Sequence, residues 1–183
     1  SLKDVPAFTV DEELSQGDIK AIYYDGPFYQ GKPSRVFAYY GCPPVKPGQK
    51  VPAVVLIHGG GGTAYPEWVQ LWVDRGYAAI AMDLFGMVPK PAGRAPVEGG
   101  GPTCGPDFVH LDDLLPDQWP YYAENAIARA RTLLGGFPEI DADKIGITGI
   151  SWGGFLSSMA SALDDRYAFA VHVYGCGFLD EHS

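Results

Sequence analysis

Between Val51 and Tyr174 the chain alternates short apolar runs with helix-like segments, and this alternation leaves few folds open to it. VPAVVLI (Val51–Ile57) is continuously apolar, the pattern of a strand buried on both faces of a parallel sheet. YAAIAM (Tyr77–Met82), KIGITGI (Lys144–Ile150) and AFAVHVY (Ala168–Tyr174) read as further strands. Between them, EWVQLWVDR (Glu67–Arg75) reads as a short helix. Trp119–Leu134 is rich in strong helix formers and ends at Gly135-Gly136. Gly153–Leu163 is a helix of small residues. Strands and helices at this pitch form βαβ units, so the expected class is α/β, a mostly parallel sheet with helices on both faces. Upstream, Ile19–Tyr24 and Arg35–Tyr40 flank turn chemistry and read as an antiparallel pair, with residues 1–17 as a polar lead-in.

The 183 residues suit one domain, taken as 1–183, and 46% apolar against 19% charged residues excludes a disordered chain. A net charge of −9 argues against nucleic acid or an anionic membrane as partner, since both require a basic face. No run approaches the roughly 20 apolar residues of a membrane span, and residues 1–20 lack a signal-peptide core. Composition therefore indicates a soluble chain of undecided compartment. Cys42, Cys104 and Cys176 are too widely spaced for a metal motif. Twenty-four glycines and 16 prolines mark a fold rich in turns. They concentrate in residues 86–116, an aperiodic Gly/Pro-rich stretch. A loop this long inside a compact domain is commonly a lid or binding loop, and it leaves from the carboxyl edge of the sheet.

Two motifs carry chemistry. Gly149-Ile150-Ser151-Trp152-Gly153 is a GxSxG between a buried strand and a small-residue helix, the strand–turn–helix setting of a nucleophile elbow. There the serine backbone is strained, and glycine neighbours let strand and helix close around it. His58-Gly59-Gly60-Gly61-Gly62 follows directly on the Val51–Ile57 strand. Acyl transfer develops an oxyanion that fixed backbone N–H donors stabilise best, and glycines expose such donors. Phosphate cradling would need a G-K-[ST] ending, whereas Gly62-Thr63-Ala64 stands here. The expected donors are the N–H groups of Trp152 and of Gly60 or Gly61, converging about 3 Å from one point near the serine oxygen. His58 is expected to hold the loop by hydrogen bonds.

In their order these parts resemble an α/β-hydrolase: HGGGG loop, YAAIAMDLFG strand and turn, PEIDADKIGITGISWGG elbow, YAFAVHVYGCGF strand. Within that superfamily the chain resembles the acetyl xylan esterase/dienelactone hydrolase group, near the prolyl-oligopeptidase-like hydrolases. Asp141–Gly154 matches the group's D-x-x-[KR]-I-G-[IV]-x-G-x-S-x-G-G approach to the nucleophile throughout. The resemblance implies Ser151 as nucleophile, a carboxylic ester substrate with acetylated carbohydrate favoured, and no metal or organic cofactor. A prolyl-oligopeptidase-like peptidase is the alternative chemistry, and a non-catalytic hydrolase-fold fragment the alternative of another class.

The group's order is Ser, then Asp or Glu, then His, each after a later strand. Only 32 residues follow Ser151, too few for two more βα units, so the domain reads as incomplete with its C-terminal strands missing. That truncation predicts self-association through the open edge of the sheet. Asp180 and His182 are the only local candidates for acid and base; two residues apart on one tail, they are poorly spaced to form both halves of a relay. His172 is expected as a packed core histidine, and Asp164-Asp165-Arg166 as the solvated far end of the elbow helix. Asp83 is expected to hold its own turn. His110, Asp112 and Asp113 read as an acidic loop rather than a metal site. Trp68, Trp72 and Trp119 read as core rather than as sugar platforms. Trp119, closing the long loop, is the tryptophan singled out for substrate contact, with Arg94 and Phe108 as further guesses.

Overall fold

A computed structural model describes residues 2–103 and 112–175. Cys104, Phe108, His110, Cys176, Asp180 and His182 lie outside the described residues. Nine strands form among the described residues: β1 (Phe8–Gln16), β2 (Ile19–Asp25), β3 (Arg35–Gly41), β4 (Val51–Ile57), β5 (Ala78–Met82), β6 (Met87–Lys90), β7 (Gly93–Pro96), β8 (Ile140–Ile150) and β9 (Phe169–Val173). The helices are α1 (Pro66–Val73), α2 (Trp119–Gly136) and α3 (Trp152–Leu163).

Seven strands make one sheet in the order β1-β2-β3-β5-β4-β8-β9. β1, β2, β3 and β5 pair antiparallel, while β5, β4, β8 and β9 run parallel. The continuous apolar run of β4 is explained by its place. Ala53–Ile57 are fully buried, with β5 and β8 on either side and packed residues on both faces. One face carries α2 and α3 over Val55, Ile57, Ile80, Ile145 and Ile147. The other carries Val69 of α1 over Val54, Leu56, Ala79 and Ala81. The structure is thus α/β with helices on both faces.

From β4 the chain crosses to β5 on one side, then returns to β8 on the other. The carboxyl ends of β4 and β8 therefore lie at a reversal of strand order, where open α/β sheets form their ligand crevice. Ile57 and Gly149 are register partners across that pair, so HGGGG and GISWG leave the sheet side by side.

Two expectations are corrected here. Residues 8–16, inside the expected lead-in, form β1, whose pairing with β2 breaks register between Asp11 and Gln16. Its polar sequence suits an exposed outer strand. The stretch 86–116, read as aperiodic, contains the hairpin β6–β7, with Met87 opposite Pro96 and Lys90 opposite Gly93. Its prolines and glycines obscure strand propensity, and Val88 and Val97, both buried, supply the anchoring instead. β9, like β1, is an edge strand of the described sheet, and it is not buried. Val171 and Val173 are 50% and 42% exposed, because no described element covers their side.

Candidate active site

Ser151 stands between β8 and α3 with φ 56° and ψ −120°, a left-handed conformation that a non-glycine residue holds only under constraint. The constraint is visible on both sides. Its N–H donates to the Val173 carbonyl at 2.8 Å, and its own carbonyl accepts from Phe155 N–H at 3.0 Å. The flanking glycines are required by space. A Cβ on Gly149 would stand 2.1 Å from the Gly153 carbonyl oxygen, and one on Gly153 would stand 2.1 Å from the Ile57 carbonyl oxygen. Strand end and helix start are thus pressed together at the end of β4. Ser151 is half-buried at the amino terminus of α3, where first-turn N–H groups point out of the helix.

The glycine loop lies against this turn: a Cβ on Gly59 would be 3.3 Å from the Ser151 Cβ. Gly59 carbonyl accepts from Gly62 N–H at 3.0 Å, closing the loop, and it lies 2.8 Å from His58 Nδ1. Leu84 N–H donates to His58 Nε2 at 2.9 Å. Nε2 is therefore an acceptor and Nδ1 carries the proton toward Gly59. Burial lowers the His58 pKa, holding the ring neutral. Both ring nitrogens are committed, as expected for a residue that holds the loop. Because a trans peptide points its C=O and N–H opposite ways, the Gly59 carbonyl directed into the loop sends Gly60 N–H out of it. Gly60 and Gly61 are exposed, and Gly61 takes a φ of 71° open to glycine.

Asp83 ties the neighbouring turn, as its position after β5 suggested. Its Oδ1 accepts from Phe85 and Met87 N–H, each at 2.9 Å, and its Oδ2 accepts from Thr63 Oγ1 at 2.7 Å. A groove of about 650 Å³ opens between the glycine loop, Tyr65, Trp68 and Trp72 of the α1 region, and Ile150 and Val173. Trp68 and Trp72 are half-buried, packing on the core while bordering this groove.

Trp119 is a core residue, and the reading of His172 is corrected. Trp119 is not a surface platform. It is 4% exposed, donates its indole N–H to the Leu84 carbonyl at 2.7 Å, and sits edge-on to Trp152. Hydrophobic burial at the start of α2 outweighs its place at the end of the long loop. His172 is exposed on the outer strand, with Nδ1 2.9 Å from Ser157 Oγ of α3. Asp164 lies at the far end of α3 but is not solvated there: its side chain is 14% exposed, in a two-pronged ion pair with Arg166. Burial works against its charge, but the Arg166 guanidinium holds its carboxyl below the usual range. Among the described residues no group of three His, Cys, Asp or Glu side chains is disposed to hold a metal, and no helix is long and apolar enough to cross a membrane.

Arg94 is the site residue that sequence reading left without a place. Its Nη1 donates to the Gly62 carbonyl at 2.5 Å and its Nη2 to Gly61 at 3.5 Å, with Nη1 3.8 Å from Asp83 Oδ2. No local pattern pairs an arginine of a Gly/Pro-rich segment with a loop 32 positions earlier.

Among solved structures, acetyl xylan esterase 1 from Thermoanaerobacterium sp. JW/SL YS485 is similar at a TM-score of 0.69 and 24% identity, over 91% of this chain and 52% of its own. An acetyl xylan esterase from Paenibacillus sp. R4 gives 0.68 and 23% over 97% of this chain and 57% of its own. An acylaminoacyl peptidase from Pyrococcus horikoshii gives 0.55 and 22% over 87% and 23%. These likenesses establish the α/β-hydrolase fold, and the chain spans about half the length of the two esterases. A search of curated proteins returns no match. The acetyl xylan esterase (AXE1) family model aligns with residues 1–181, nearly end to end, and the chain belongs to that family.

Proposed function

We propose that this chain carries the nucleophile half of a serine esterase acting on acetylated carbohydrate. The observation that carries the reading is the backbone of Ser151. A left-handed serine wedged between glycines that cannot bear a Cβ is conformational strain kept at the start of a helix, and such strain collects at functional sites. In this reading Ser151 Oγ attacks the ester carbonyl, and N–H groups of Trp152 and of Gly60 or Gly61 hold the oxyanion. A histidine takes the serine proton and returns it to the leaving alcohol. The acyl-enzyme is then hydrolysed by water. The small acyl group and sugar alcohol come to the reading from the family and from the names of the two esterases.

The base is not among the described histidines. His58 spends both ring nitrogens on the glycine loop and Leu84, and His172 is engaged with Ser157. Of the residues that follow Ser151, Asp180 and His182, both outside the described residues, are kept as candidates for acid and base. The exposed apolar side chains of β9 support self-association through that edge. The test is hydrolysis of p-nitrophenyl acetate by the 183-residue chain, by the longest natural chain containing it, and by Ser151→Ala versions of both. The isolated chain, which spans about half the length of the two esterases, should run near background, in line with a cost on the order of 10⁴ to 10⁶ in kcat for a serine working without its triad partners. The longer chain should turn over, and Ser151→Ala should abolish that. Turnover indifferent to Ser151→Ala would remove Ser151 as nucleophile. Proline amides in place of acetyl esters test the peptidase alternative.

A further inference from the structure

The hairpin β6–β7 reaches back over the glycine loop through one side chain. Arg94 of β7 donates to the carbonyls of Gly61 and Gly62 and stands beside Asp83. Asp83 is fully buried and also holds Thr63, the residue that follows the loop. The base of the hairpin is itself fixed. Val97 N–H donates to the Gly86 carbonyl, and Arg35 N–H to the Gly99 carbonyl, each at 2.8 Å, while Val88 and Val97 are buried.

The loop is therefore gripped from two sides. His58 Nδ1 secures the Gly59 carbonyl at its start, and Arg94 secures Gly61 and Gly62 at its end. What lies between are the N–H groups of Gly60 and Gly61. Without Arg94, the exposed Gly60 and Gly61 would be held only through Gly59, by His58 and by the turn bond from Gly62, and glycine is the residue with most conformational freedom to lose. Donors stabilise an oxyanion only when they are fixed before charge develops. We infer that Arg94 is a positioning residue, which holds the glycine loop in register with Ser151 by binding the loop's carbonyl oxygens. This rests on the esterase reading above. The guanidinium is suited to the task because two nitrogens of one rigid fork meet two successive carbonyls, which an ammonium cannot do.

The experiment uses the longest natural chain containing these residues, with Arg94→Ala, Arg94→Lys and Ser151→Ala variants, acetyl ester kinetics and thermal unfolding. For Arg94→Ala, kcat should fall about 10- to 100-fold while KM moves less than about threefold, since an misplaced loop weakens the transition state and not substrate binding. Arg94→Lys should recover part of the rate through the Gly62 carbonyl alone, and added methylguanidine should raise the rate of Arg94→Ala but not of the parent. An unchanged kcat in Arg94→Ala overturns the inference. So does a rise in KM with kcat intact, which would make Arg94 a substrate contact. So does a rate loss that tracks a lowered melting temperature and responds to neither lysine nor methylguanidine. If Ser151→Ala keeps the parent rate, the esterase reading falls and this inference with it. An inactive Ser151→Ala beside a fully active Arg94→Ala removes this inference alone.

Discussion

Replacing Ser151 by glycine should make the protein more stable while destroying the site. At φ 56° and ψ −120° the serine occupies a region that costs a non-glycine residue about 1–3 kcal/mol, whereas glycine enters it without a Cβ penalty. Against this gain stands the extra freedom glycine has when unfolded, about 0.5–1 kcal/mol. The side chain is half-buried, and both backbone hydrogen bonds, to Val173 and from Phe155, survive the change. The net gain is about 1.5 kcal/mol, equivalent to roughly 3–6 °C for a chain of this size. Ser151→Ala is the necessary control, because it removes the hydroxyl and keeps the strain. Urea unfolding followed by tryptophan fluorescence, at concentrations where the chain is monomeric, measures all three proteins. The expected order is Ser151→Gly above both the parent and Ser151→Ala. A glycine variant no more stable than the alanine variant would refute the claim that the elbow stores backbone strain.

Gly153→Ala should destabilise by about 3 kcal/mol, because its Cβ would meet the Ile57 carbonyl 2.1 Å away and force the β4–α3 contact apart; calorimetry reads the loss. His58→Ala should cost about 1–3 kcal/mol at pH 7.5 by stranding the buried Leu84 N–H. That advantage of the parent should shrink as pH falls below about 6.5. Burial lowers the folded His58 pKa, so the unfolded chain takes up a proton there that the folded one resists. Glu124 behaves oppositely: burial pushes its carboxyl up to about 8. Between about pH 4.5 and 8 the folded state keeps a proton the unfolded state has lost, so rising pH destabilises it. Glu124→Gln should therefore gain stability over the parent across that window and show no gain below it, read from urea midpoints at several pH values.

The elements were legible where local pattern and environment agree. VPAVVLI could only be a doubly buried strand, and the glycines around Ser151 announced a turn too tight for side chains before any coordinates existed. The strand after the elbow was legible as a strand at an open edge, yet the exposure of His172 was not, since burial within a strand depends on what lies beside it. Trp119 was legible as core, but its proximity to the loop in sequence said nothing of which way the indole faces. Both candidate-site motifs are local sentences in the chain, each written within five residues. Their meeting is not local. It follows from β4 lying beside β8 after an excursion through β5, a pairing set by the handedness of crossovers and by long-range burial. The same holds for Arg94, whose hold on Gly61 and Gly62 arises only when the hairpin packs Val88 and Val97 against the core. Residue type and short-range spacing thus determined the elbow, the glycine loop and the strands. Tertiary packing alone decided which of them face one another, because that depends on contacts between residues far apart in the chain.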